Sequence, residues 1–120
     1  DAGSNKAALD EAKANKANAD ESINNLTRQV KADIQQSILN IKDASARYEA
    51  AQVSLNSSQK NLEAQQERYN QGLAITLDLL NAEVQLIQSQ SDLVQAKYDY
   101  YSAIAQLDYA MGKNGETNEK

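Results

Sequence analysis

The chain has 120 residues and a net charge of −5, and it contains no Pro, Trp, Phe, Cys or His. Without Cys and His it cannot supply an ordinary zinc site, a thiol nucleophile or a Ser-His-Asp triad, so we expect no enzymatic activity and no cofactor. The negative charge, with no clustered basic face, argues against nucleic-acid binding. No apolar run is long enough to cross a bilayer, so we do not expect this segment to be membrane-inserted.

The first predicted element is a long helix over about residues 4–69, in which Ser4 or Asn5 is the expected N-cap. Good helix formers dominate this stretch, and it contains neither Pro nor Gly. A weaker apolar row contains Ala32, Leu39, Ala46, Ala50, Val53 and Ala64. The main apolar row has a helical spacing and contains Ile23, Leu26, Val30, Ile34, Ile38, Ile41, Ala44, Tyr48, Ala51, Leu55, Ser58 and Leu62.

The only interior stop signal is Asn70-Gln71-Gly72, where Gly72 suits the left-handed conformation that ends a helix. A second helix is predicted over about 76–111, with Gly112 just beyond its end. Residues 113–120 are polar and are predicted to be a disordered tail.

The predicted fold is therefore all-α: a long antiparallel two-helix coiled-coil hairpin with unequal arms and its tip at Gly72. Folding back at the tip brings Met111 level with Asp33 or Ile34. Earlier residues then have no partner within the chain, and an Ala-rich helix with one uncovered side is marginal alone. We expect the chain to be a piece of a larger assembly.

Two apolar rows run along the second helix, and they lie roughly 150° apart because each residue turns the helix by about 100°. A helix with apolar rows on nearly opposite sides needs a neighbour on each flank, as in the wall of a tube. A helix within a three- or four-helix bundle is the alternative. The first apolar row contains Leu77, Leu80, Val84, Ile87, Ser91, Val94, Tyr98, Tyr101 and Ala105. The second apolar row contains Leu79, Ala82, Leu86, Ser89, Leu93, Ala96, Tyr100, Ala103, Leu107 and Ala110.

A polar strip separates these rows on one side of the second helix. It has three carboxylates and no basic residue, which makes it the candidate for a water-filled lumen, although a solvated helix face is the ordinary interpretation. Asp78 lies in the first turn after Thr76, the expected N-cap, where a carboxylate is also favoured by the helix dipole. The strip contains Asp78, Asn81, Gln85, Gln88, Asp92, Gln95, Asp99, Ser102 and Gln106.

The segment from Tyr69 through Gly72 to Asp78, continuing Leu-Leu-Asn81-Ala, resembles the hairpin tip of the TolC-like outer-membrane efflux protein family. Ala96-Lys-Tyr-Asp-Tyr-Tyr101 and Ala110-Met-Gly112 resemble the end of the same family helix. The resemblance covers about residues 4–112. It implies that residues 1–112 are a periplasmic α-hairpin, part of an α-barrel, in the cell envelope of a Gram-negative bacterium.

The resemblance also implies a homotrimeric parent in the outer membrane that serves drug efflux or type I secretion. Such a parent works with a periplasmic adaptor protein and, indirectly, with an inner-membrane transporter. The residues implied to contact the adaptor are Tyr69, Gln71, Gly72, Leu73 and Ala74. Those implied to form the ring at the channel entrance are Asp78, Asn81 and Gln85.

Two details depart from the family pattern. Asn81 replaces a second ring carboxylate, and Ala74 stands where some relatives have a basic residue. Two other functions remain open at this point: the coiled-coil hairpin of a periplasmic adaptor, which predicts arms of nearly equal length, and a purely structural coiled-coil stalk, which predicts a single apolar row.

Overall fold

The computed structural model describes residues 1–112, and the regular structure in that range consists of two helices, α1 at Ala2–Asn70 and α2 at Thr76–Ala110. The predicted all-α hairpin is confirmed, and so are the unequal arms, which contain 69 and 35 residues. The predicted tail, 113–120, lies outside the described residues. The chain divides into two units, Asp1–Gln36 and Ser37–Lys120.

The first unit contains the beginning of α1, and its N-cap is Asp1. The Oδ1 atom of Asp1 accepts a hydrogen bond from the backbone N–H of Gly3 at 3.3 Å, and its carbonyl accepts one from Asn5 at 3.1 Å. The prediction of Ser4 or Asn5 as N-cap is therefore wrong. Asp is as good an N-cap as Ser or Asn, and with Asp1 in that role both predicted residues lie inside the first turn.

The large apolar side chains early in this unit are exposed. Residues 1–33 are all exposed, so the early part of the main row predicted for the first helix is uncovered. The exposed fractions are 54% for Leu9, 61% for Ile23, 60% for Leu26 and 40% for Val30.

The second unit is an antiparallel hairpin whose two helices meet through small side chains. Among its described residues, every buried one is Ala or Ser: Ser37, Ala44 and Ser58 on α1, and Ala82, Ser89 and Ala103 on α2. These positions recur at multiples of seven residues along each helix. Small residues at one heptad position allow the helices to approach closely, while larger residues at the other position cover the contact. The larger, half-buried residues are Ile41, Tyr48, Leu55 and Leu62 on α1, and Leu79, Leu86, Leu93, Tyr100 and Leu107 on α2.

Two contacts fix which residues of the hairpin face each other. The hydroxyl oxygens of Ser58 and Ser89 lie 2.6 Å apart, and the rings of Tyr48 and Tyr100 stack with their centroids at 5.9 Å. Continued by heptads, this register places Ala110 level with Ser37. The pairing comes later in α1 than the predicted Asp33 or Ile34, because the chain folds back around Leu73 and Ala74 and not around Gly72 itself.

One member of the main row predicted for α1 is wrong. Ile38 is 41% exposed, whereas the neighbouring Ser37 is only 8% exposed. Ser37 lies seven residues before the buried Ala44 and therefore has the same heptad position, whereas Ile38 is turned away from that position by about 100°. The heptad spacing therefore places Ser37, and not the larger Ile38, in the contact between the helices.

Candidate functional site

The tip of the hairpin begins where α1 ends in a Schellman turn. Gly72 adopts a φ of +74°, and its N–H donates to the carbonyl of Tyr69 at 3.0 Å. The N–H of Leu73 donates to the carbonyl of Arg68 at 2.8 Å. These two bonds define the motif, and the positive φ explains why glycine stands at this position. Gly72 therefore lies in the tip turn, as predicted, and the chain folds back one to two residues after it.

The tip carries apolar side chains that the hairpin does not cover. Leu73 and Ile75 are each 64% exposed, and Tyr69 is 41% exposed. Gln71 is exposed too, with its side-chain amide donating to Glu67 at 2.8 Å, whereas Ala74 is half-buried. The predicted contact residues therefore lie together around one turn. Ile75 was missed in the sequence, although an apolar residue just before a helix start is a visible signal.

The start of α2 differs from the prediction, because Ile75 and not Thr76 is the N-cap. An isoleucine side chain cannot accept a hydrogen bond, so it caps no N–H group of the first turn. Asp78 compensates in part, since its Oδ2 atom accepts a bond from the Ile75 N–H at 3.3 Å. Asp78 therefore has a structural role as well as any role in an entrance ring.

Near the tip, a shallow polar groove runs between the two helices. All three predicted ring residues, Asp78, Asn81 and Gln85, line it. Four polar residues of α1 also line the groove: Ser57, Ser58, Asn61 and Gln65. Hydroxyl and amide groups outnumber charges here, and Asp78 is the one carboxylate among the lining residues. The site is suited to binding water and weakly attracting cations.

Further along α2, the polar strip is ordered by hydrogen bonds between residues one turn apart. Gln88 donates to Asp92, and Gln95 donates to Asp99, each at 2.9 Å. Arg47 of α1 lies 3.8 Å from Asp99. The strip itself lacks a basic residue, as the sequence shows, but the opposite helix supplies one. The arginine could not be found from α2 alone, because its placement depends on the register between the helices.

The two apolar rows of α2 have different environments. Each residue of the second apolar row is buried or half-buried in the hairpin. Each residue of the first apolar row is exposed, and the exposed fraction of its large side chains runs from 50% at Leu80 to 69% at Val94. The second apolar row is thus the contact with α1, and the first points away from it over most of the length of α2.

A family model for outer membrane efflux proteins matches residues 1–113. The chain belongs to the outer membrane efflux protein family. This match confirms the family resemblance based on the tip and on the end of α2. No curated protein and no solved structure matches the chain.

Membership in the outer membrane efflux protein family gives the chain a general role. The family consists of channel and transport proteins of the Gram-negative outer membrane. They are oligomeric and work with other pump components. Within residues 1–112, neither helix has a stretch that is both long and apolar enough to span a membrane.

Proposed function

We propose that residues 1–112 form part of the periplasmic α-barrel of a trimeric outer-membrane exit duct, which serves tripartite drug efflux or type I secretion. The observation that carries this proposal is the pair of apolar rows on α2. One row is buried against α1, and the other is exposed. A stable hairpin needs only the buried row. The exposed row supports a further helical neighbour in an assembled wall, and a plain two-helix stalk would not require it.

The remaining two sides of α2 fit the inner and outer surfaces of such a wall. The polar strip lies between the apolar rows on one side, and we assign it to the lumen. Asp92 and Asp99 accept hydrogen bonds from glutamine amides, and Asp99 also lies near Arg47, so the duct would have a hydrated, weakly acidic lining. The opposite side of α2 carries Glu83, Gln90 and Lys97 and would face the periplasm.

The tip is our candidate for the surface that docks the periplasmic adaptor. It would contact the adaptor through Tyr69, Gln71, Gly72, Leu73 and Ala74. Exposed apolar groups on a hydrogen-bonded turn favour this assignment, because they are the part of the tip that gains most from burial by another protein. The inner-membrane transporter would act through the adaptor and not through this hairpin.

The groove near the tip is our candidate for the channel entrance. In a trimer, copies of Asp78, Asn81 and Gln85 would form rings around the opening. With Asn81 in place of a second carboxylate, each hairpin contributes one negative charge, and the attraction for cations falls accordingly. Asp78 would then both stabilise the start of α2 and set the charge of the entrance.

An efflux assay with charged tip variants tests the docking role. Leu73→Asp places a charge in the most exposed apolar part of the tip, and we expect loss of adaptor-dependent efflux with normal amounts of channel. Asn56→Asp, at an exposed position of α1 away from the tip, is the matched control and should remain active. Normal efflux by Leu73→Asp, or equal losses in both variants, would contradict adaptor docking at the tip.

A further inference from the structure

The first apolar row of α2 is unusually regular for an exposed surface. Its residues follow steps of three and four without a break from Leu77 to Ala105. Seven of its large side chains keep half or more of their surface exposed: Leu77 59%, Leu80 50%, Val84 66%, Ile87 64%, Val94 69%, Tyr98 68% and Tyr101 59%. This spacing is that of a coiled-coil interface, in which knobs of one helix enter holes of another.

We propose that the first apolar row is self-complementary, so that two copies of the chain pair through it in antiparallel orientation about a two-fold axis. In an antiparallel coiled coil, residues of one core position face the other core position of the partner helix. With the axis at the level of Ser89, the core residues from Leu77 to Tyr101 each meet a core residue of the second copy. The resulting pairs are Leu77 with Tyr101, Leu80 with Tyr98, Val84 with Val94, and Ile87 with Ser91.

Charge complementarity supports this arrangement. Glu83 and Lys97 flank the apolar row on the same side of α2, and Gln90 lies midway between them. In the two-fold arrangement Glu83 of one copy lies beside Lys97 of the other, and this pair occurs twice. Gln90 lies beside its own equivalent across the axis. The opposite flank consists of the neutral residues Asn81, Gln88, Gln95 and Ser102.

Charge complementarity also favours the proposed register over the two registers that are shifted by one heptad. Shifting the second copy by a heptad in either direction removes both contacts between Glu83 and Lys97. One of these charges then faces Gln90 and the other faces Thr76 or Ile104, and large side chains are lost from the contact. In the proposed register, seven large apolar side chains per copy can bury on the order of 1,000 Å² in total, which is the lower limit for a specific interface. The dimer is therefore expected to be reversible.

This pairing goes beyond the role in a duct wall. In an assembled barrel the row would be covered by a different helix, whereas a hairpin outside a barrel would cover it with a second copy of itself. Pairing would keep a large apolar surface out of water before assembly. The inference depends on the exposed row and its flanking charges, and it holds or fails independently of the transport role.

Cross-linking of the full chain tests the geometry directly. The chain has no cysteine, so each variant carries a single thiol. Gln90→Cys places two thiols on either side of the proposed axis, whereas Lys97→Cys places them about 21 Å apart along the helices, from 14 residues at 1.5 Å each. With a short bis-maleimide, we expect abundant covalent dimer for Gln90→Cys and little for Lys97→Cys. Equal yields would overturn the antiparallel pairing, and so would no dimer in either variant.

Charge reversal supplies a second, independent measurement by sedimentation equilibrium at low salt. Glu83→Lys and Lys97→Glu each create two like-charge contacts and should weaken dimerisation by about tenfold. Mixing the two variants restores opposite charges at both contacts, so the mixture should dimerise about as well as the unaltered chain. Monomeric behaviour of the unaltered chain, or no recovery in the mixture, would overturn the proposal. Neither result would bear on efflux by the assembled channel.

Discussion

The hydrogen bond between Ser58 and Ser89 gives the sharpest prediction about the hairpin. Both residues are buried, with exposed fractions of 6% and 4%, and their hydroxyl oxygens lie 2.6 Å apart. Alanine occupies neighbouring positions of both heptad rows, at Ala44 and Ala51 in α1 and at Ala82 and Ala96 in α2. Replacing one serine by alanine leaves the other hydroxyl buried without this partner, whereas replacing both gives an apolar layer of the same shape.

The expected change in the free energy of unfolding is the difference between a cost and a gain. An unsatisfied buried hydroxyl costs about 1–3 kcal/mol, and a helical serine reduces the cost by bonding to a carbonyl one turn earlier. Alanine has a higher helix propensity than serine, which returns a few tenths of a kcal/mol. We expect Ser58→Ala and Ser89→Ala each to lower the free energy of unfolding by about 0.5–1 kcal/mol. The double variant should lie within about 0.5 kcal/mol of the unaltered chain.

Urea unfolding of the full chain, followed by far-UV circular dichroism, measures these values. The two single variants and the double variant form a thermodynamic cycle, and we expect a coupling energy of about 1 kcal/mol. Ser57→Ala, at an exposed position beside Ser58, is the matched control and should be neutral or slightly stabilising. Additive effects, with a coupling energy below about 0.3 kcal/mol, would refute the claim that this hydrogen bond links the helices.

Gly72→Ala should destabilise the hairpin by about 1 kcal/mol in the same titration, because φ is +74°, even though no atom beyond the two neighbouring residues lies within 4 Å of the added Cβ. Gly72→Asn should lower the free energy of unfolding clearly less than Gly72→Ala does, and equal decreases would contradict the role of the positive φ. In the assembled channel, Asp78→Ala should weaken cation block or cation preference; unchanged conductance across salts would remove Asp78 from the entrance ring. In the isolated chain, hydrogen exchange should show weaker protection for residues 5–30 than for 40–105, and uniform protection would contradict this expectation.

Much of the fold could be predicted because local signals agree. Gly72 in its polar context marks the turn, and the absence of Pro leaves two uninterrupted helices. The N-caps were missed for a local reason, since several residues near each helix start were acceptable and Ile75 is a poor one. Ile38 was placed in the contact on hydrophobicity, although the helices meet through Ser and Ala at heptad spacing.

The site could be predicted only in part. The tip and the groove residues are close in sequence, so Asp78, Asn81 and Gln85 could be grouped from helical periodicity alone. The contact of Arg47 with Asp99 joins residues on different helices and requires the register, which periodicity does not define. The sequence also showed that α2 has two apolar rows, but not which of them α1 covers.

The central claim is that a neighbouring helix covers the first apolar row in the assembled channel. Thiol labelling with a membrane-impermeant maleimide tests it at two adjacent positions, Val84→Cys in the row and Gln85→Cys in the polar strip. Both residues are exposed in the chain itself. In the assembled channel we predict slow labelling at position 84 and fast labelling at position 85. Fast labelling at both positions would contradict the account.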